Sequence, residues 1–366
     1  MVEDKQNLRS DERWVALDQI RAVAAYMVFC WHFLHWSNGY PIPFEYTPDF
    51  PFFSILDEGH TGVALFMCLS GYLFAKLLDG RRIRFAAFLI ARAVRLGPLL
   101  VFAFALNTAY FVYSGDRVTQ RLFALLTGFV LPTWPNGGWS ITVELHFYLL
   151  PPFLLAARKR TPWAIPTMLI LMVLIRTAVW HFNGSVMNLS YSTIVGRIDQ
   201  LILGIAAYDN RHAIRSNSWI GFVMVALLGM GYWVFEKAGG LVGLGGYTSQ
   251  NAIWIVLPTF EALAYAVIIA AYDQSGFATG RTKPGRLVGW LGHYSYGIYL
   301  LHFFVVQIFV KLIEQFIMPL GNFYIAWLWA SIAFLAMLPI AFLASRIVET
   351  PFKELKPRYF RQEDAG

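Results

Sequence analysis

A histidine and an arginine lie in the first apolar stretch of the sequence at a spacing that suits chemistry. His32 follows Arg21 by eleven residues, which on a helix is about three turns plus about 20°, and about 16 Å along the axis. One helix face is therefore expected to carry a fixed cation and a titratable imidazole, with Asp18 close enough to pair with Arg21. We predict a functional pair. The alternative is that Arg21 snorkels to the membrane surface and His32 is a buried, hydrogen-bonded residue.

Other ionisable residues lie in further apolar stretches, where a charge costs about 2.5–3.5 kcal/mol on insertion scales and is by default a sign of function. Arg92 and Arg95, close to the basic turn 81–84, could hold phosphates through bidentate hydrogen bonds. They could equally mark the membrane boundary or contact lipid headgroups. Glu144 needs a partner or a proton, and it is either a functional carboxylate or the structural partner of a buried arginine.

Further candidates for the site are Trp139, Tyr148, Arg197, Asp199 and His302. Tyr148 lies four residues beyond Glu144, about one helical turn. Arg197 and Asp199 are only two residues apart, so they diverge around a helix and should pair with other spans. We expect an Arg197–Glu144 contact, because the topology given below puts both residues near the outer side.

The composition defines the elements that must position these residues. Of the 366 residues, 57% are hydrophobic and 14% are charged, and the mean hydropathy is +0.52. A soluble domain carries about 25% charged residues, so a polytopic, all-α membrane protein is indicated. The net charge of +7 does not indicate nucleic-acid binding, because the positive charges cluster between apolar runs. Ten runs have about the length that crosses a bilayer: 14–36, 60–79, 86–113, 139–157, 162–182, 193–209, 217–235, 252–272, 287–312 and 323–346.

The distribution of arginine and lysine predicts the topology. With both termini cytoplasmic, the inner loops hold many basic residues and the outer loops few, as the positive-inside rule requires. Segment 119–134 is then a short re-entrant or surface helix, because a full span there would place the basic residues 158–160 outside. We predict a cytoplasmic tail over 1–13, a membrane domain over 14–352 and a second cytoplasmic tail over 353–366. The inner basic residues are Arg81, Arg82, Arg84, Arg158, Lys159, Arg160, Arg211, Arg215, Arg281, Lys283 and Arg286, and the outer ones are Arg117, Arg121 and Lys237.

Several motifs, taken in order, make the chain resemble the acyltransferase-3 family of membrane O-acyltransferases. They are LDQIRAVAAYMVFCWH, GHTGVALFMCLSGYL, FLIARAVRLGP, WSITVELHFYLL, GRIDQLILG, LGHYSYGIYLLH and VETPF near Glu349. The resemblance covers about 14–352 and looks like the stand-alone form, without a fused soluble hydrolase-like domain. The chain departs from the family pattern at LDQIRA, where a glycine is usual, and at ELHFYL, where a second acidic residue is common.

The resemblance implies an inner-membrane enzyme that moves an acyl group, most often acetyl, from cytoplasmic acyl-CoA to a hydroxyl of a glycan. In this interpretation His32, Arg21 and Glu144 are catalytic, with His32 as general base. Arg92, Arg95 and Arg21 bind acyl-CoA, which is a cosubstrate. Neither a permanently bound cofactor nor a metal is expected. Trp139, Tyr148, Arg197, Asp199 and His302 are assigned to substrate binding.

Alternatives remain open at the level of the sequence. A transporter or exporter of an acylated or glycosylated solute could carry the same intramembrane charges. An acyltransferase that acts on a small molecule is also compatible with these residues. The acyl group, the acceptor, its attachment to a lipid and the oligomeric state are not determined by the sequence.

Overall fold

The structure is a computed structural model that describes residues 15–360, except 37–38, 80, 82, 116, 135–136, 218, 242–248 and 276–281. The predicted tail 1–13, Trp14 and residues 361–366 lie outside this part. The described chain is helical, with one isolated β-bridge between Ile83 and Phe360. Its α-helices are α1 Val15–Leu34, α2 Pro51–Asp57, α3 Gly62–Leu78, α4 Phe85–Tyr113, α5 Val118–Thr127, α6 Trp139–Phe147, α7 Pro151–Arg160, α8 Ala164–Asn183, α9 Met187–Ser192, α10 Ile194–Asp209, α11 Arg211–Ser216, α12 Trp219–Lys237, α13 Ile253–Asp273, α14 Lys283–His293, α15 Ser295–Phe316 and α16 Phe323–Ala344.

Seven helices of the described chain are long and apolar enough to cross a membrane, or eight if the bent pair α6–α7 is one span. This confirms the prediction of an all-helical, multi-pass membrane protein. Every predicted span coincides with helix, but α1 and α10 are not among the seven helices. Helix α10 has only 16 residues, and Asp18 and Arg21 lower the hydropathy of α1. The count of ten spans and the cytoplasmic location of both termini therefore stay predictions.

Two of the predicted spans are interrupted. The prediction of one continuous span over 287–312 is wrong, because α14 ends at His293 and α15 begins at Ser295. The stretch 139–157 is bent by 50° between α6 and α7. The bend precedes Pro151 and Pro152, which lack the N–H that a continuous helix would use. The helices on either side of both interruptions include ones that carry candidate site residues.

A short helix occupies the segment between the third and fourth predicted spans. Helix α5 has 10 residues, so it is too short to cross the bilayer. It confirms the prediction of a short helix within 119–134, and its position relative to the membrane surface stays a prediction.

Glycines allow the helices around α1 and α3 to approach until their backbones touch. A Cβ atom at Gly71 would lie 2.1 Å from the carbonyl oxygen of Leu201, and one at Gly204 would lie 2.1 Å from that of Cys68. A Cβ atom at Gly292 would lie 1.6 Å from the carbonyl oxygen of Asp18. Such small-residue contacts are typical of membrane helices, whose association depends on close packing. They fix α10 against α3 and α14 against α1.

Candidate active site

A cavity of about 920 Å³ lies between α1, α3, α4, α6, α14 and α15. Its size is at the upper end of the range of small-molecule sites, about 300–1,000 Å³. Apolar side chains of α3 form much of one wall. The charged residues on its wall are Asp18, Arg21, Arg92, Arg95, Glu144, Arg286 and Lys356.

One end of the cavity is strongly basic. The wall carries five arginine or lysine side chains and only two carboxylates. Asp18 accepts a hydrogen bond from Arg21, as the sequence predicted. The guanidinium of Arg92 lies 5.0 Å from the ring centre of Phe88, and its Nε has no hydrogen-bond partner among the described residues. We call the part of the wall formed by Arg92, Arg95, Arg286 and Lys356 the basic mouth.

The carboxylate of Glu144 lies in the same cavity. It accepts a hydrogen bond from the hydroxyl of Tyr148, which also lines the wall. His146, two residues on, faces elsewhere and contacts the carbonyl oxygen of Phe129 at 3.0 Å. The hydrogen-bond partner of Glu144 is therefore Tyr148 rather than His146.

The structure brings His32 and His302 together, and we call them the histidine pair. Their ring centres are 4.6 Å apart. Nδ1 of His32 lies 2.9 Å from the carbonyl oxygen of Val28, and Nδ1 of His302 lies 2.6 Å from that of Tyr299. Because a carbonyl oxygen can only accept, each Nδ1 carries the proton and each neutral ring keeps a lone pair on Nε2. The buried Nε2 of His302 has no partner among the described residues.

Tyr299 connects the histidine pair to the cavity. It lines the cavity beside Ser140 and hydrogen-bonds to the hydroxyl of that serine. Its ring centre lies 5.8 Å from that of His302, and its hydroxyl donates to the carbonyl oxygen of Gly137 at 3.0 Å. The histidine pair therefore borders the end of the cavity that lies opposite the basic mouth.

Gly137 lies directly against the imidazole of His32. Its φ angle is +76°, a conformation that favours glycine. A Cβ atom there would lie 3.9 Å from Nε2 of His32 and 3.6 Å from the hydroxyl of Tyr299. The absence of a side chain at Gly137 leaves space beside the nitrogen that holds the lone pair.

The expected Arg197–Glu144 contact is wrong. Arg197 instead pairs with Glu261 of α13 at 3.0 Å and donates from Nε to the carbonyl oxygen of Tyr191 at 2.8 Å. Helix α10 packs against α13, so the nearest carboxylate is on that helix. Asp199 pairs with Arg176 of α8 at 2.7 Å, which fulfils the expectation that these charges pair with other spans.

The acceptor-binding candidates therefore separate into two groups. Tyr148 lines the cavity and His302 belongs to the histidine pair. Arg197 and Asp199 are 1% and 0% exposed and held in ion pairs, and Trp139 lies 5.6 Å from the guanidinium of Arg197. A role of the second group in substrate binding stays a prediction.

Residues 14–346 match the acyltransferase-3 family model, described as an acyltransferase domain. The chain belongs to the acyltransferase-3 family. The match includes all the candidate site residues, and the acyltransferase domain occupies nearly the whole of this sequence. No solved structure matches the chain significantly.

Three relatives of this acyltransferase-3 chain have names that refer to O-acetylation or to exopolysaccharide. The peptidoglycan O-acetyltransferase OatA of Listeria monocytogenes is 22% identical, over 96% of this chain and 57% of its own length. YrhL of Bacillus subtilis, whose name also refers to peptidoglycan O-acetylation, is 22% identical over 79% of this chain and 48% of its own length. The exopolysaccharide production protein ExoZ of Rhizobium meliloti is 25% identical, over 69% of this chain and 78% of its own length. The chain spans about half the length of the first two relatives.

Sequence reasoning missed several buried polar residues of this acyltransferase-3 chain. Arg176 and Glu261, the partners of Asp199 and Arg197, are themselves charges inside apolar runs, so the same rule could have found them. Tyr299 and Ser140 are uncharged, so a search for charges inside apolar runs does not select them. A further buried cluster, next to α2 and the start of the second span, contains His35, Asp57, Glu58, His60 and Glu236.

Proposed function

We propose that this chain is a membrane O-acyltransferase of the inner membrane. It transfers an acyl group, most directly acetyl, from cytoplasmic acyl-CoA to a hydroxyl of a cell-surface or lipid-linked glycan. The observation that carries the proposal is a cavity with a basic mouth at one end and Tyr299 at the other, where the ring of Tyr299 contacts the histidine pair behind the wall. A polyanionic thioester donor and a proton acceptor are the two components that such a transfer needs.

The spacing between Arg21 and His32 along α1 suits coenzyme A. Arg21 lies about 16 Å along α1 from His32. An extended pantetheine arm spans a comparable length, so a donor with its thioester near Tyr299 has its diphosphate beside Arg21, Arg92 and Arg95. Arginine is well suited to phosphate oxygens, because its planar guanidinium can donate two parallel hydrogen bonds.

The chemical step follows from the lone pair of His32. The acceptor oxygen forms a bond to the thioester carbonyl carbon while the carbon–sulfur bond breaks. The hydroxyl proton moves to Nε2 of His32 and then to the coenzyme A thiolate, which leaves as the thiol. His302 provides a second lone pair beside the first and can receive or return the same proton. A transient acyl-histidine on His32 is the alternative route.

The acceptor is proposed from the relatives and from the position of Glu144. OatA and ExoZ are named for peptidoglycan and exopolysaccharide, so a glycan hydroxyl is the acceptor that these relatives support. Glu144, held by Tyr148 in the cavity wall, can accept a hydrogen bond from a sugar hydroxyl or orient a base. Donor and acceptor reach the site from opposite sides of the membrane.

Thiol release separates this proposal from its rivals. Purified protein in nanodiscs is incubated with acetyl-CoA, with and without crude cell-envelope glycan, and the free thiol is measured. Glycan-dependent thiol release is the expected result. A transporter leaves the thioester intact, and an enzyme that acts on small molecules shows no response to glycan.

A further inference from the structure

The chain leaving the last helix turns back and forms part of the cavity wall. Residues 356–360, here the C-terminal segment, were predicted to belong to a cytoplasmic tail. Within this segment, Lys356 and Tyr359 line the cavity, and its location on the cytoplasmic side stays a prediction. The amide of Arg84 donates to the carbonyl oxygen of Tyr359 at 2.8 Å, and Ile83 forms the β-bridge with Phe360. The C-terminal segment is therefore fixed against the start of α4.

Lys356 adds a cation to the basic mouth that Arg92 and Arg95 begin. Burial and the neighbouring cations Arg95, Lys353 and Arg92 lower the pKa of Lys356, while the nearby carboxylate of Glu349 acts in the opposite direction. Within the described part of the chain, no carboxylate lies within ion-pair distance of Lys356 or Arg286. Neither cation is held in an ion pair within this part of the chain, so each side chain can donate hydrogen bonds to a bound phosphate.

Helix α14 contributes Arg286 and Trp290 to the wall of the same cavity. It runs alongside α1, with Gly292 against the backbone of Asp18 and Gly289 against Val15. Arg286 lies three residues before Gly289, which is about 4.5 Å along the axis of α14. It is therefore further from His32 than the contact between Gly289 and Val15. Trp290, 41% exposed, lines the cavity at the level of Val15. Arg286 and Trp290 thus lie beyond Arg21, on the outermost part of the wall.

We infer that Arg286 and Lys356 form a second phosphate subsite that binds the 3′-phosphate of the donor nucleotide, with Trp290 as the surface on which its adenine stacks. The inference rests on the proposed function, because the order of groups along coenzyme A gives the order along the cavity. With the thioester at Tyr299 and the diphosphate at Arg21, the phosphorylated adenosine reaches the outermost wall. Bases stack readily on aromatic side chains, and a phosphate gains most from cations that have no other partner.

The test compares acetyl-CoA with acetyl-3′-dephospho-CoA, which lacks only this phosphate. Thiol release gives the KM of wild type, Arg286→Ala and Lys356→Ala for both donors. Wild type is expected to show a KM about tenfold or more lower for acetyl-CoA. Each variant is expected to lose most of this preference, with an unchanged KM for the dephospho donor. Arg215→Ala and Lys159→Ala are matched controls, since both residues are exposed and lie away from the cavity.

Binding is measured separately, so that failure of the inference differs from failure of the proposed function. Calorimetry compares adenosine 3′,5′-bisphosphate with adenosine 5′-monophosphate on the full chain. Wild type is expected to bind the bisphosphate more tightly than the monophosphate. Each alanine variant is expected to bind the two nucleotides with equal affinity. Both results are expected even if no thioester is consumed. Arg286→Lys and Lys356→Arg retain the charge and should retain the preference.

Three results overturn the inference. One is equal binding of the two nucleotides by wild type. Another is a preference for the 3′-phosphate that survives in both alanine variants, which would assign the phosphate to other cations. If the variants instead change only the dependence of activity on anionic lipid, these cations bind headgroups and the inference is wrong.

Discussion

The imidazoles of His32 and His302 lie edge to face with ring centres 4.6 Å apart, and the Nδ1 atom of each lies within 3 Å of a main-chain carbonyl oxygen of its own helix. These hydrogen bonds leave both Nε2 atoms without a proton when the rings are neutral. Two helices that are distant in the sequence therefore supply two lone pairs to one place. His302, which the resemblance assigned to substrate binding, is a partner of the proposed base.

Replacement of His302 tests whether the second imidazole contributes to the transfer. We expect His302→Gln to lower kcat for glycan-dependent thiol release by about 10²-fold, since proton transfer by a positioned side chain contributes about 10²–10⁴-fold. The KM for acetyl-CoA should not change, because His302 lies away from the basic mouth. Equal loss of activity in His146→Gln, a histidine outside the cavity wall, would indicate a general effect on folding.

Arg92 and Arg95 are expected to act on donor binding. Arg92→Ala and Arg95→Ala should each raise the KM for acetyl-CoA about tenfold or more, because each removes charge-assisted hydrogen bonds to phosphate. Added salt should raise the KM of wild type more than that of either variant. Steady-state kinetics at several salt concentrations checks both statements. Variants with unchanged KM would favour the boundary or headgroup role.

The Glu144–Tyr148 contact predicts a graded response. Glu144→Gln removes the charge and should lower kcat/KM by about 10–100-fold, the effect of a hydrogen bond to a charged group. Tyr148→Phe leaves the carboxylate in place without its donor and should lower kcat/KM less. Kinetics with saturating donor and varied glycan measures both. A Tyr148→Phe variant more impaired than Glu144→Gln would contradict this order.

The buried Arg197–Glu261 pair predicts a coupled effect on stability. Removal of one partner leaves an unpaired buried charge, so Arg197→Met should lower the free energy of unfolding by about 3–5 kcal/mol. The double variant Arg197→Met with Glu261→Gln should be more stable than the single one. Thermal unfolding in detergent compares them. A single variant with normal stability and a raised KM for glycan would instead support acceptor binding by Arg197.

How much the sequence could predict depends on the range of each interaction. The pairing of Asp18 with Arg21 is local, so helical periodicity was sufficient to find it. The bend before Pro151 follows from residue type, although the sequence was interpreted there as one span. The partner of Arg197 depends on which helix packs against α10. That helix is α13, and the sequence alone does not show that the two helices are in contact. For the same reason Tyr299 and Lys356 emerge as wall residues only in the folded chain.

The close approach of α3 and α10 predicts a strong dependence on residue size at Gly71. A Cβ atom there would lie 2.1 Å from the carbonyl oxygen of Leu201, so Gly71→Val must separate the helices and should lower the thermal stability markedly. Gly97→Ala is the matched control, because no atom lies within 4 Å of a Cβ at that position. Its stability should equal or slightly exceed that of wild type, since alanine favours helix. Equal melting temperatures for the two variants would contradict the packing described here.

The central claim is that His32 takes the proton of the acceptor hydroxyl. The most direct measurement is the rate at which labelled acetyl moves from acetyl-CoA to glycan, for wild type, His32→Ala and His181→Ala in nanodiscs. His181 is an exposed histidine at the end of α8 and serves as the control. We predict a loss of about 10²-fold or more in His32→Ala, with unchanged donor binding and with His181→Ala equal to wild type. Full transfer by folded His32→Ala would contradict the account.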